Sequence, residues 1–228
     1  MKKLFFIFLF VLISGAAFAD LTLVQKVHSG GMMGQPPMDD TMTMQIKGNK
    51  ARIDFQTKKI SEVVDLEAHK MYVIDHDKRQ VMVMSTDAAG SAMDMMSKMA
   101  GGNMKSDVQK SGKTDTVNGF KCEEYIISTT GPMAMNMTSC LTQDIEAKEY
   151  EPFRNFGQEM MKMLGAEKLA QMKGVPVRTT MKMNLMGQSM DSSTELKSAA
   201  HSPLPASIFD IPKDYEMKEM QMPNQPHP

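Results

Sequence analysis

The sequence predicts an α+β fold: a curved antiparallel β-sheet, shaped as a half-barrel, with two main helices packed on one face. Three observations predict it. Most of the chain alternates apolar and polar residues, the period of strands with one buried face. Gly, Pro and Asn-Gly punctuation falls between these runs at hairpin spacing. Only two stretches, 87–100 and 152–173, carry apolar residues at helical spacing. A closing sheet of this kind takes roughly eight to eleven strands.

The N-terminal segment is read as a targeting signal. Lys2 and Lys3, the apolar run 4–13 and the small-x-small triplet Ala17-Phe18-Ala19 have the three-part layout of a secretory signal peptide, 1–19, cut after Ala19. The apolar run is too short to span a bilayer as a stable helix. No second long apolar run follows it, so the mature chain is expected in the periplasm or secreted and not integral to a membrane. Losing two lysines from 26 basic residues leaves 24 against 27 acidic ones. With that near-neutral balance and no Lys/Arg cluster, nothing marks a nucleic-acid-binding face. Residues 20–216 suit one domain, and 217–228, rich in Met and Pro, a flexible tail.

After a loop predicted over 29–40, Thr41 to Ile46 places Met42, Met44 and Ile46 on one face, and Gly48-Asn49 turns the chain into 51–55. Three further strands are predicted at 59–66, 71–75 and 80–85, the last two joined by the turn His76-Asp77-Lys78-Arg79. The helical stretch 87–100, with Met93, Met96 and Met99, stops at Gly101-Gly102. Asn118-Gly119 joins 114–117 to the strand starting near Cys122 as a tight hairpin. Pro152 suits the first turn of the second helix and Gly174 its C-terminal cap. Its stripe of Phe153, Phe156, Met160, Met163 and Leu164 is expected to pack on the sheet. Val177 to Leu185 and Met190 to Lys197 close the pattern as a hairpin turning at 186–188.

Cys122 and Cys140 are the two cysteines. In an oxidising compartment an isolated pair reads first as a disulfide. Thr130-Gly131-Pro132 is a turn signal between two strands, and a hairpin centred on 131 puts the two cysteines directly opposite each other. Paired strand residues have Cα spacings a disulfide bridges. A redox pair would more often be C-x-x-C, and a metal pair would have His or Cys company, so the disulfide is favoured over both.

Several motifs follow one another at fitting distances: Val64-Asp65 through Tyr72-Val73-Ile74-Asp75, Gly119-Phe-Lys-Cys-Glu-Glu-Tyr125, Gly174-Val-Pro-Val177, and Ser207-Ile-Phe-Asp-Ile-Pro-Lys-Asp-Tyr215. Together they resemble the exported bacterial proteins grouped as domain of unknown function 4412. More remotely, the chain is similar to the LolA-type lipoprotein carriers, half-barrels that hold acyl chains. The resemblance covers most of the mature chain. Where such relatives often show a Trp after the hairpin, this chain has Ser139-Cys140-Leu141. The resemblance implies the half-barrel and, by analogy of fold alone, a lipid or other apolar ligand; it carries no activity.

The residues point away from catalysis. His28, His69, His76, His201 and His227 fall in no ligand spacing, and no nucleophile elbow, phosphate loop or dinucleotide fingerprint is present. Glu123 and Glu124 are adjacent, so in a strand they face opposite ways. The expectation is a protein that is not an enzyme and has no cofactor. The chain has 28 Met, all but Met1 after the signal. Met42, Met44, Met82, Met84, Met181 and Met183 sit at alternate strand positions, where Met is first of all core. The same six would line an adaptable apolar pocket, as Met-rich binding surfaces do. The alternative is soft-metal binding of Cu(I) or Ag(I) by Met217, Met220, Met222 and His227 in the tail, or a purely structural envelope role. The sequence leaves any protein partner unknown.

Overall fold

The computed structural model describes residues 20–31, 36–88, 90–91, 95, 105–130, 133–145, 148–163, 172–185 and 188–219. The signal peptide expected at 1–19 lies outside them. The strands are β1 (Leu21–Ser29), β2 (Met38–Lys47), β3 (Lys50–Phe55), β4 (Ile60–Asp65), β5 (Lys70–Asp75), β6 (Gln80–Ser85), β7 (Lys105–Val117), β8 (Phe120–Thr130), β9 (Met133–Thr142), β10 (Val175–Leu185), β11 (Gln188–His201) and β12 (Glu216–Glu219). They form one curved open sheet in the order β12-β6-β5-β4-β3-β2-β1-β11-β10-β9-β8-β7. Every neighbouring pair is antiparallel except β12 beside β6, which is parallel. The sheet thus has twelve strands, one more than the upper expectation. Strand β12 begins at Glu216, the last residue of the expected domain, and runs on to Glu219 in the segment expected as a tail; the backbone of Glu216 donates to the Arg79 carbonyl at 2.9 Å and docks the chain on the β6 edge.

From β3 to β6 the meander repeats every ten residues: six of strand, four of turn. The pairs Phe55↔Ile60, Asp65↔Lys70 and Asp75↔Gln80 close three four-residue turns in succession. Each turn ends on a non-glycine residue in the left-handed region, namely Lys59, His69 and Arg79. The carboxylates of Asp65 and Asp75 accept the backbone N–H groups of Ala68 and Lys78, each at 2.9 Å. Such Asx capping is what lets an Asp open a turn. The Asn118-Gly119 hairpin is also as expected, with both residues at positive φ and Val117 paired with Phe120. The loop expected over 29–40 is shorter, since β1 extends through Ser29 and β2 starts at Met38.

One core cluster holds Leu21, Leu23, Ile46, Val175, Val177 and Leu196 with both cysteines. A second, Val63, Ile74 and Val81, lies on the far side of β4–β6 and is covered by Ile211 and Tyr215 of the C-terminal segment. That strap is fixed by polar anchors. Lys47 donates to the Leu204 carbonyl at 2.7 Å and to Asp20 at 2.8 Å, while the Leu204 N–H reaches Asp20 at 2.7 Å. Arg52 donates to the Ile208 carbonyl at 2.9 Å.

Cys122 and Cys140 are bonded, with Cα atoms 5.3 Å apart. The register differs from the expectation. Cys122 pairs with Thr142 and Cys140 with Glu124, so the hairpin is centred at 132 and the bridge runs diagonally. The helix α1 spans Glu151–Met163. Residues 86–88, 90–91 and 95 are also helical, in the region of the first predicted helix and starting one residue ahead of it. At Gly174, expected as a helix cap, the described residues show a different demand for glycine. Gly174 has φ 105°, and a side chain there would meet the Thr142 carbonyl oxygen at 2.3 Å. Glycine is required because the start of β10 approaches the end of β9.

Candidate functional site

Alternation on β9 turns Met137, Ser139 and Leu141 to one side, and α1 lies over that side. The helix presents Phe153, Arg154, Gly157 and Gln158 to them. Met172 and Gly174, ahead of β10, and Pro176 and Thr179 on it complete a hollow of about 280 Å³. Its size lies near the lower end of the ~300–1,000 Å³ typical of ligand sites, and its wall is mostly apolar, as theirs are. Gly157 leaves it open: a Cβ built there would meet no atom within 4 Å. On the sheet side Ser139 and Thr179 satisfy each other through a 2.9 Å hydrogen bond between their hydroxyls. A wider recess of about 820 Å³ adjoins it at Leu141, but charged and hydroxyl side chains of β7 and β8 line much of that one.

One cation enters the hollow. Arg154 is 23% exposed, and its Nη2 reaches Glu151 only at 3.4 Å, one turn away at the helix surface. Its Nε is buried and, among the described residues, has no hydrogen-bond partner. Tyr150 stands beside it at the start of the helix. Burial pushes the Tyr150 hydroxyl up from its ordinary value, against the pull of the Arg154 charge.

The six methionines singled out from the sequence share one face of the sheet. Register carries the row from Ser139 and Thr179 through Thr194 to Val27, and along β1 and β2 to Met42 and Met44. Across β2 to β6 it continues as Met44–Ile53–Glu62–Val73–Met82 and Ile46–Ala51–Val64–Met71–Met84. Met181 and Met183 pair with Met137 and Met135 on β9. None of the six lines the hollow under α1; Met137 and Met172 do. Met137 pairs with Met181 across β9 and β10, a partnership the sequence reading did not draw, and Arg154 and Tyr150 carried no sequence signal. The expected helix stripe also divides. Phe153 meets the core, whereas Phe156 and Met160 share a recess with His69, Thr86 and Ser91. Of the tail residues, Met217 is 60% exposed on β12. Met220, Met222 and His227 lie outside the described residues.

Glu62 sits in the middle of the apolar row between Ile53 and Val73, and burial raises its pKa. His76 does more than fill a turn. It shares hydrogen bonds with Ser61 at 2.8 Å and with the Tyr215 hydroxyl at 3.2 Å. Ser61 is 2% exposed; it donates to Asp54 at 2.5 Å and accepts from Arg52 at 2.9 Å. With its only proton on Asp54, Ser61 is not a nucleophile with His76 as base, because His76 must then donate to it. Burial pushes the Asp54 carboxyl up, but the hydrogen bonds from Arg52 and Ser61 outweigh this and hold it below its ordinary value. The group is a polar clamp between the meander and the strap. Among the described residues no helix is long and apolar enough to cross a membrane.

A family model described as "Domain of unknown function (DUF4412)" matches residues 32–215. No curated protein matches the sequence. Among solved structures, an uncharacterized conserved protein from Thermus thermophilus is similar at TM-score 0.49 and 8% identity, over 90% of this chain and 92% of that one. A chain of the MucA/MucB complex structure from Pseudomonas aeruginosa is similar at TM-score 0.47 and 8% identity, over 86% of this chain and 57% of that one. A LolA superfamily protein from Nitrosomonas europaea is similar at TM-score 0.35 and 8% identity, over 86% of this chain and 91% of that one.

Proposed function

Since the chain belongs to the family described as domain of unknown function DUF4412, a description that names no activity, we propose a function from its own geometry: it is a non-catalytic protein of the cell envelope that binds a lipid or another apolar ligand in the hollow beneath α1. The observation that carries this reading is the hollow itself, an apolar space left open between a helix and a sheet at a glycine. A helix whose only task was to close the core would be expected to fill that space, because packed interiors leave few voids. The Met side chains at its wall and along the adjoining face adapt to varied apolar shapes. A place outside the cytoplasm fits the N-terminal signal pattern and the Cys122–Cys140 bond.

The test fills the hollow from its two walls. Gly157→Trp does so from the helix and Thr179→Phe from the sheet. Each is compatible with its element, since Trp is a better helix former than Gly and Phe suits a strand. Gly157→Trp is expected to melt like the wild type and Thr179→Phe to melt lower but remain folded, since it leaves the buried Ser139 hydroxyl without its partner. Both are expected to lose binding of an apolar fluorescent probe such as N-phenyl-1-naphthylamine. Undiminished probe binding in both folded variants would sink the proposal.

A further inference from the structure

We infer that the ligand of the α1 hollow is a single-chain amphiphile with a carboxylate head, held by the guanidinium of Arg154; this rests on the reading of the hollow as an apolar ligand site. Three observations converge. First, Arg154 is the only charged side chain that lines the hollow among the described residues. Second, among the described residues its buried Nε–H has no hydrogen-bond partner, and its ion pair to Glu151, at 3.4 Å, is longer than a hydrogen-bonded pair of good geometry. A buried guanidinium donor without an acceptor is costly to keep, and an anionic oxygen arriving with a ligand removes that cost. Third, the other polar groups of the wall are already engaged or neutral. Ser139 and Thr179 bond each other, and Gln158 reaches the Met172 carbonyl at 3.4 Å. They add no second charge.

The stoichiometry of charge selects the head group. Two oxygens of a carboxylate match two parallel N–H donors of one guanidinium, a planar fork that favours this geometry. A phosphate monoester carries nearly two negative charges at neutral pH and would meet only one cation here. The volume selects the tail. About 280 Å³ between Phe153, Met137, Leu141 and Met172 suits one apolar chain or part of one, and not the paired chains of a bilayer lipid.

The experiment compares four ligands of one chain length on delipidated full-length protein, by displacement of N-phenyl-1-naphthylamine: dodecanoate, dodecanol, methyl dodecanoate and dodecyl phosphate. Wild type is expected to bind dodecanoate about tenfold more tightly than dodecanol or the ester, the scale of one charge-assisted contact. Arg154→Gln should erase that preference, weakening dodecanoate about tenfold while leaving dodecanol unchanged, and Arg154→Lys should restore part of it. Melting temperatures of the variants, measured alongside, confirm that each is folded. Equal binding of acid and alcohol by wild type, an unchanged acid preference in Arg154→Gln, or tighter binding of dodecyl phosphate overturns the inference and leaves the apolar site standing. Failure of all four ligands to displace the probe, or of the probe to bind, removes the apolar site and the inference with it.

Discussion

Glu62 shows how a single side chain sits against the logic of its neighbours. Ile53 and Val73 flank it across the strands, and Ile60 and Val64 share its face on β4. Burial raises its pKa above the ordinary 4.5. The folded state therefore holds the proton more tightly than the unfolded chain. Stability falls as pH rises through the unfolded pKa towards the folded one, and the penalty is complete above both. Glu62→Gln should raise the melting temperature at pH 7, with the gain shrinking towards zero near pH 4, where both forms are neutral. An equal gain at both pH values would contradict this. The register puts Glu62 on the face of Ile60 and Val64; the sequence reading went no further than a strand over 59–66, and alternation does not say whether a partner waits there. Arg154 is the same kind of case: helical spacing assigns it a position, and only the helix's seat over β9 and β10 shows that its Nε is buried. His76 was read as a turn residue because its partner Tyr215 lies 139 positions away.

At the scale of elements, the strands were legible because each turn carries its own chemistry, down to the paired positive φ values of Asn118-Gly119. The cysteine hairpin was legible in its existence but not in its register. Gly131-Pro132 offers two adjacent centres, and a shift of one moves each partner by two. The disulfide forms along the diagonal all the same. With a sequence separation of 18, its closure should contribute roughly 3 kcal/mol. Replacing both cysteines by Ala should lower unfolding free energy in urea by about that amount. No change in the midpoint would show that the hairpin is held without it. In α1, Gly157→Ala should stabilise the protein by ~0.5–1 kcal/mol, because the helix gains propensity and the new methyl group meets nothing within 4 Å. A loss of stability would mean that the space is not open. Gly174 tolerates no such change, since its Cβ position collides with the Thr142 carbonyl.

The whole molecule depends on its ends. Asp20 at the head of β1 and the strap from 203 to 215 bind each other through Lys47 and the Leu204 N–H, and the strap covers Val63, Ile74 and Val81. Ending the chain after Ser202 should therefore abolish cooperative unfolding, because a core of fully buried Val and Ile would be opened to water. Ending it after Glu219 should leave folding and apolar-probe binding unchanged, since β12 stays docked on β6. The half-barrel and its helix-bearing face were legible in alternation and turn spacing. The hollow was not, because it is formed by what α1 leaves unfilled over β9 and β10, and no local pattern reports an unfilled space. The central claim is that this space holds a ligand, and native mass spectrometry of protein purified without detergent or solvent tests it most directly. The account predicts one bound apolar acid per chain in wild type and bare polypeptide mass in folded Gly157→Trp. Bare mass in both, with no adduct regained after incubation of wild type with dodecanoate, would contradict it.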